Sequence, residues 1–272
     1  MIPVNRPLPM DAPRVAGNVA AERAGALSSR RIGFVIPSSN RRFEPEAAAF
    51  LPAGVVPHIA RARMTGAQRA SPEITEQRIL DAARALADAR CELVFLHCTA
   101  HSTELGPEGE RRLTERIRSA TGVPGAATGL AIRAALAALR AKRIGVVTPY
   151  DVETTNEEVR YLQACGFEVV DVAAYNLSGS DAFCSTAPEF WRKAMVEHRG
   201  ACATADAVLL SCANIRCLEA LEEIEAAAMR PVVTSNQAAL WFAARMVAGE
   251  LALSSLGCLS DLQLAGSSQG TN

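Results

Sequence analysis

Two segments of the sequence carry the same order of features about a hundred residues apart. "RRIGFVIPSSN" at 30–40 is echoed by "KRIGVVTPYDVETTN" at 142–156. Each segment is a basic pair, Ile-Gly, a short apolar run and a proline-led polar loop. Self-similarity at a fixed distance indicates an internal duplication, so the chain is expected to fold as two similar halves.

A second repeated pattern ends in a cysteine. "LVFLHCTAHS" runs an apolar strand into Cys98, and "DAVLLSCANIRC" runs another into Cys212. The spacing agrees, because 66 positions separate Ile32 from Cys98 and 68 separate Ile144 from Cys212. A single cysteine in such a run is most simply a small buried apolar residue, but its recurrence at an equivalent place predicts a paired role for the two thiols.

Apolar strands alternate with amphipathic helices along most of the chain, as in "ELVFLHC", "RIGVVTP" and "AVLLSC" against "PEITEQRILDAARALADA" and "NQAALWFAARMVAG". This alternation predicts an α/β protein with two doubly wound, mainly parallel sheets and an active cleft between them. We expect a flexible N-terminal extension over 1–29, a first lobe over 30–139 closed by a C-terminal helix at 236–256, a second lobe over 140–235, and a tail over 257–272.

Composition narrows the class of protein. The 272 residues are 49% hydrophobic and 21% charged with a net charge of −1, which provides no electrostatic attraction to nucleic acid or to an anionic membrane. The sequence has no apolar run near 20 residues and no signal-like start, so we expect a cytoplasmic protein. We also expect a homo-oligomer, either a dimer or a tetramer. The eight cysteines are expected to be reduced, and their spacing suits no metal site. Phosphate-loop motifs are missing, so no cofactor is predicted.

Both repeated cysteines fall where a parallel strand ends and a helix is expected to begin. Ligands gather at these carboxyl ends, and the positive end of a helix favours a thiolate, which predicts thiol pKa values below the usual value of about 8.5. Two facing halves would place one thiol on each side of a small ligand. That arrangement suits proton transfer, or addition and release of a nucleophile, at one carbon.

Five stretches resemble the Asp/Glu racemase superfamily, and within it the branch of maleate cis-trans isomerases and arylmalonate decarboxylases. They are "VIPSSNRRFEPE", "LHCTAHS", "TPYDVETTNEEVRYLQACGFEVV", "LLSCANIR" and "RPVVTSNQAALW". The resemblance implies a cofactor-independent enzyme with two pseudo-symmetric Rossmann-like lobes. It also implies that the last helix returns to the first lobe and that the substrate is a small carboxylic or dicarboxylic acid.

The resemblance assigns roles to individual residues. Cys98 resembles the first-lobe thiol, which in the isomerases adds to the substrate double bond, and Cys212 resembles the second-lobe thiol, which transfers the proton. In racemases of the superfamily the two thiols act as acid and base on opposite faces. The candidate substrate-binding residues are Asn40, Thr99, Ser102, Tyr150, Asn214 and Arg41. Arg41 is otherwise an ordinary surface charge, and His101 is a loop histidine that is a candidate activator of Cys98.

Several functions remain open on the sequence. The decarboxylases have glycine where this chain has Cys98, which favours an isomerase or an amino-acid or hydroxy-acid racemase. The isomerases usually read Ser-Asn-Thr-Thr where this chain has "SNRR", and an Asp-Asn pair where it has Asp181-Ala182. A decarboxylase, a member associated with ectoine breakdown, and a non-catalytic small-molecule binding protein are therefore the alternatives.

Overall fold

The computed structural model describes residues 29–65, 70–249 and 256–264. The predicted extension over 1–29 lies outside them except for Ser29, as does the end of the predicted tail. The first half contains β1 (Arg30–Pro37), α1 (Phe43–Phe50), β2 (Val55–Ala62), α2 (Pro72–Asp88), β3 (Leu93–Leu96), α3 (Thr99–Thr121), β4 (Gly125–Ala127) and α4 (Thr128–Ala138). The second half contains β5 (Arg143–Thr148), α5 (Val152–Ala164), β6 (Glu168–Ala174), α6 (Gly179–Ser185), α7 (Pro188–His198), β7 (Ala207–Leu210), α8 (Leu221–Ala228), β8 (Val232–Thr234) and α9 (Ser235–Ala248).

The strands form two four-stranded parallel sheets with the same topology. The orders are β2-β1-β3-β4 and β6-β5-β7-β8. Ile32 on β1 pairs with Leu93 on β3, and the equivalent Ile144 on β5 pairs with Ala207 on β7. The predicted fold class, α/β with two sheets and flanking helices, is confirmed.

The two central strands are built alike. Gly33 on β1 and Gly145 on β5 are equivalent glycines in the repeated "RIG" pattern, and side chains from a neighbouring segment pack closely against each of them. A Cβ on Gly33 would be 2.8 Å from the Cβ of Leu86, and one on Gly145 would overlap the sulfur of Cys202. Glycine is therefore needed at both positions to let the neighbouring element approach the sheet.

Some helices differ from the prediction. The sequence "GERRLTERIRSAT" predicts a helix from Gly109, but helix α3 begins about ten residues earlier, at Thr99, and bends at Gly106 (φ 67°, ψ 169°) just ahead of Pro107. The short helix α6 was not predicted, because its sequence has no helical period of apolar residues. The sequence "IRCLEALEEIEAAAM" predicts one helix, but the structure has a 3-10 turn at Leu218–Ala220 followed by the shorter α8.

The last helix joins the two halves. It starts directly after β8 of the second sheet, with a capping box formed by Thr234 and Gln237, and it packs on α4 and β1 of the first half. The chain therefore crosses between the sheets at Ser235. None of the helices in the described part of the chain is long and apolar enough to cross a membrane.

Candidate active site

A cavity of about 310 Å³ lies at the carboxyl ends of both sheets. Residues directly after β1, β3, β5 and β7 contribute to it, as expected for parallel sheets, whose ligands collect where strands end and helices begin. The predicted site residues that line it are Asn40, Cys98, Thr99, Tyr150, Cys212 and Asn214. The structure thus brings together six of the nine residues singled out from the sequence, while Arg41, His101 and Ser102 lie outside the lining.

Cys98 is the residue that precedes the first turn of α3. It is 4% exposed, and the backbone N–H groups of Ala100 and His101 lie close enough to its sulfur to lower the thiol pKa. Burial outweighs them and raises the pKa of Cys98 to about 11. The predicted lowering of this pKa is wrong. Loss of water around the sulfur disfavours the thiolate more than the N–H groups at the start of α3 favour it.

Cys212 lies in an unusual backbone conformation, with φ at 103°. Its N–H donates to the hydroxyl of Ser235 at 3.1 Å, and its sulfur accepts the N–H of Asn214 at 3.3 Å. The Tyr150 hydroxyl also hydrogen-bonds the sulfur, which lowers the thiol pKa. Burial again dominates and raises the pKa of Cys212 to about 12. Both thiols are therefore protonated at neutral pH, contrary to the prediction.

Two asparagines hold the loops of the two halves together across the cavity. The Asn40 side-chain amide donates to the carbonyl of Ala213 at 2.7 Å. Its carbonyl oxygen accepts the N–H groups of Arg42 and Phe43, both at 3.0 Å, at the start of α1. The Asn214 carbonyl oxygen likewise accepts the N–H of Arg41 at 2.9 Å. These contacts fix the distance between the loop after β1 and the loop after β7.

Arg41, Ser102 and His101 lie elsewhere. The Arg41 guanidinium is ion-paired with Asp181 at 2.5 Å near the mouth of the cleft, and both side chains are largely exposed. Ser102 is fully buried one turn into α3. The His101 ring lies 3.6 Å from Glu104 and lines a separate cavity beside α2, so only its backbone N–H is near the Cys98 sulfur.

The cavity lining combines apolar surface with polar groups, and among the described residues it includes no cationic side chain. Its described residues include hydroxyls, amides and one carboxylate, Asp151, but no Lys, Arg or His. An anionic ligand would therefore be held by neutral donors and by the amino end of α3. Leu177 and Phe183 add an apolar wall. Among the described residues, no group of three or more His, Cys, Asp or Glu could hold a metal ion.

Two residues beside the cysteines were missed by the sequence analysis. Ser235 follows β8 and touches the loop of each thiol, and Glu158 on α5 is buried beside Ser211, the residue before Cys212. The position of Ser235 at the carboxyl end of a strand is the signal that would have found it. For Glu158 the sequence offers no signal, because its contact depends on a residue 53 positions away.

Comparison with known proteins places this architecture in a family. The family model described as arylmalonate decarboxylase matches residues 32–259, which include both sheets and both cavity cysteines. The chain belongs to the arylmalonate decarboxylase family.

The proteins to which this member of the arylmalonate decarboxylase family is similar carry two different names. A maleate isomerase of Pseudomonas putida is 29% identical over 220 residues, covering 75% of this chain and 86% of the relative. An arylmalonate decarboxylase of Bordetella bronchiseptica is 26% identical over 225 residues, covering 82% and 92%. The crystal structure of the maleate isomerase Iso from Pseudomonas putida S16 is 26% identical, with a TM-score of 0.76, and covers 86% of this chain and 98% of that one.

Proposed function

We propose that this member of the family is a cofactor-independent cis-trans isomerase of a small unsaturated dicarboxylic acid of the maleate type. One observation carries the proposal: two buried thiols, Cys98 and Cys212, follow equivalent strands of the two halves and line one cavity. A decarboxylase of this branch needs only the second thiol, so the retained Cys98 favours the isomerase. The relatives named maleate isomerases support the same choice.

Cys98 is the nucleophile in this proposal. The cycle starts from the Cys98 thiolate, whose proton has been released to water; the sulfur adds to one alkene carbon and forms a C–S bond, while the π electrons move to the neighbouring carbon beside a carboxylate. The former double bond is now a single bond and can rotate. Because burial raises the pKa of Cys98, the thiolate is scarce but strongly nucleophilic when it forms.

Cys212 handles the proton. Its thiol protonates the neighbouring carbon to give a thioether, and after rotation the resulting thiolate takes the proton back. The electron pair then re-forms the double bond as the C–S bond to Cys98 breaks, so atoms and charge balance over the cycle. The Tyr150 hydroxyl and the Asn214 N–H hydrogen-bond the Cys212 sulfur, which suits a group that carries a negative charge for part of the cycle.

Substrate carboxylates are proposed to bind to neutral donors. Asn40, through the second N–H of its amide, and the backbone N–H of Thr99 at the amino end of α3 serve one carboxylate, and the Tyr150 hydroxyl serves the other while Cys212 is a neutral thiol. Oriented N–H and O–H donors stabilise an anion well, and they suit the charge that develops in the intermediate.

The experiment is a proton NMR assay of maleate conversion to fumarate, with exhaustively chelated enzyme and no added cofactor. Cys98→Ser is expected to lose nearly all activity, and Cys165→Ser, at the end of α5 outside the cavity lining, is the matched control. Loss of activity on chelation that returns with added zinc contradicts the cofactor-independent mechanism. Exchange of a substrate Cα–H with deuterated solvent, without alkene isomerisation, indicates a two-base racemase instead.

Decarboxylation is the second candidate, and the apolar wall of Leu177 and Phe183 favours it, because such a wall suits an aryl group. Release of carbon dioxide from an arylmalonate, retained in Cys98→Gly and lost in Cys212→Ala, would support this function. A chain that binds ligand but is unaffected by either cysteine substitution would be a binding protein.

A further inference from the structure

Helix α5 carries a buried carboxyl group that the mechanism above does not use. Glu158 is 1% exposed, and its two carboxyl oxygens lie 2.7 and 2.8 Å from the hydroxyl oxygen of Ser211. Ser211 is itself fully buried, and the next residue is Cys212. The carboxyl group therefore lies behind the second thiol rather than in the cavity.

The charge state of Glu158 follows from its surroundings. Ser211 has one hydroxyl proton, which satisfies a buried carboxylate poorly, and an ionised carboxylate without further donors is costly to bury. Burial raises the pKa of Glu158 to about 7, with the Ser211 hydrogen bond as the opposing effect. Glu158 is thus about half ionised near pH 7, largely a neutral acid below that pH and largely a carboxylate above it.

Neighbouring charged groups on the elements around α5 have other partners. On α3, Glu110 accepts from the Tyr161 hydroxyl at 2.6 Å, and it is ion-paired with Arg133 on α4. On β6, Asp171 lies 2.8 Å from a ring nitrogen of His198. Burial and the Ser211 hydroxyl therefore govern the ionisation of Glu158.

The titratable groups on the cavity side are Tyr150 and Cys212. Burial is the main cause of the raised pKa at both, and the negative charge of an ionised Glu158 raises both pKa values further. An ionised Glu158 therefore opposes a thiolate at Cys212, and a neutral Glu158 does not stabilise one. As a neutral acid it offers no positive charge, and as an anion it repels the thiolate.

We propose that Glu158 is a positioning residue that acts through Ser211 to keep Cys212 in the thiol form, ready to donate a proton. The inference rests on the proposed function, which makes Cys212 the proton donor. It predicts that Glu158 affects the ionisation of Cys212 and not that of Cys98, because the serine bonded to Glu158 directly precedes Cys212.

The test measures the thiol directly and needs no substrate. The rate of alkylation of Cys212 by iodoacetamide is followed from pH 6 to 10 by peptide mass spectrometry in the wild type and in Glu158→Gln. Glutamine keeps the shape and stays neutral, so Cys212 is expected to be alkylated about 3–10-fold faster at pH 8, where the thiolate is the minor form in both proteins. Glu110→Gln, which removes a buried carboxylate elsewhere, is expected to leave the Cys212 profile unchanged.

Superimposable Cys212 profiles for the wild type and a folded Glu158→Gln would overturn the proposal, as would an equal shift in Glu110→Gln. If Glu158→Gln does not fold, Ser211→Ala serves instead. It removes the donor that favours the charged carboxylate, so faster alkylation at pH 8 is again expected, and an unchanged rate refutes the coupling. Because no substrate is used, a shifted profile in an enzyme that does not isomerise maleate would refute the proposed function alone.

Discussion

The hydroxyl of Thr99 donates a 2.9 Å hydrogen bond to the hydroxyl of Ser235. The same Ser235 oxygen accepts the backbone N–H of Cys212 at 3.1 Å. Thr99 follows Cys98 in the first half, whereas Cys212 belongs to the second, so one fully buried serine oxygen connects the loops of both thiols. The separation of the two sulfurs therefore depends on a residue of α9, the helix that joins the halves.

Ser235→Ala is expected to lower kcat by about 10–100-fold with a smaller change in KM. The substitution removes the hydroxyl that holds the loops of the two thiols at a fixed separation, while the groups that bind the substrate carboxylates remain. Steady-state kinetics on maleate would measure this. The control is Ser185→Ala, which removes an exposed hydroxyl of α6 and should leave kcat unchanged. A kcat for Ser235→Ala within twofold of the wild type would show that the bridge does not matter.

The two cysteines should differ in phenotype despite their equivalent positions. Cys212→Ala is expected to retain covalent capture of an electrophilic maleate analogue at Cys98, but to turn over about 10² to 10⁴-fold more slowly, the usual cost of losing a proton-transfer group. Intact-protein mass spectrometry would show the adduct. If Cys212→Ala and Cys98→Ser fail to form the adduct to the same extent, the assignment of separate duties is wrong.

Gly145→Ala is expected to lower the free energy of unfolding by about 1–3 kcal/mol, because the new Cβ overlaps the sulfur of Cys202. Gly200→Ala is the control, since a Cβ there meets nothing within 4 Å and its φ of −66° suits alanine. Combining Gly145→Ala with Cys202→Ala should restore part of the loss. Urea unfolding of the four proteins would measure this, and a stable single variant would refute the close approach.

Glu46 is expected to make stability depend on pH. Burial raises its pKa from 4.5 to about 7, so the folded protein keeps a proton that the unfolded chain releases. The wild type should therefore lose stability as pH rises from about 4.5 to about 7, whereas Glu46→Gln does not titrate. Between these pH values the free energy of unfolding of Glu46→Gln should rise relative to that of the wild type by an amount on the order of 1–3 kcal/mol. Above about pH 7 the difference between the two proteins should stay constant.

Urea unfolding at intervals from pH 4.5 to 8 would follow this difference. Glu222→Gln on the exposed face of α8 is the control, and its difference from the wild type should stay flat across the range. A flat difference for Glu46→Gln as well would mean that this carboxyl group is ionised in the folded protein.

The sequence repeats were enough to predict both sheets and to single out Cys98 and Cys212, because strand periodicity and strand-end position are local properties of the chain. Depth of burial is not local. The pattern around Cys98 shows the helix end that favours a thiolate, but not the packing that removes water from the sulfur. Glu157 and Glu158 are likewise adjacent identical residues, and only the distant Ser211 distinguishes them.

The backbone of Cys212 has a consequence for protein engineering. At a φ of 103°, every residue with a Cβ is strained, whereas glycine adopts such angles freely. Cys212→Gly would relieve this strain while deleting the thiol. A library selected only for heat resistance would therefore enrich inactive sequences at this position, and selection for turnover must accompany selection for stability.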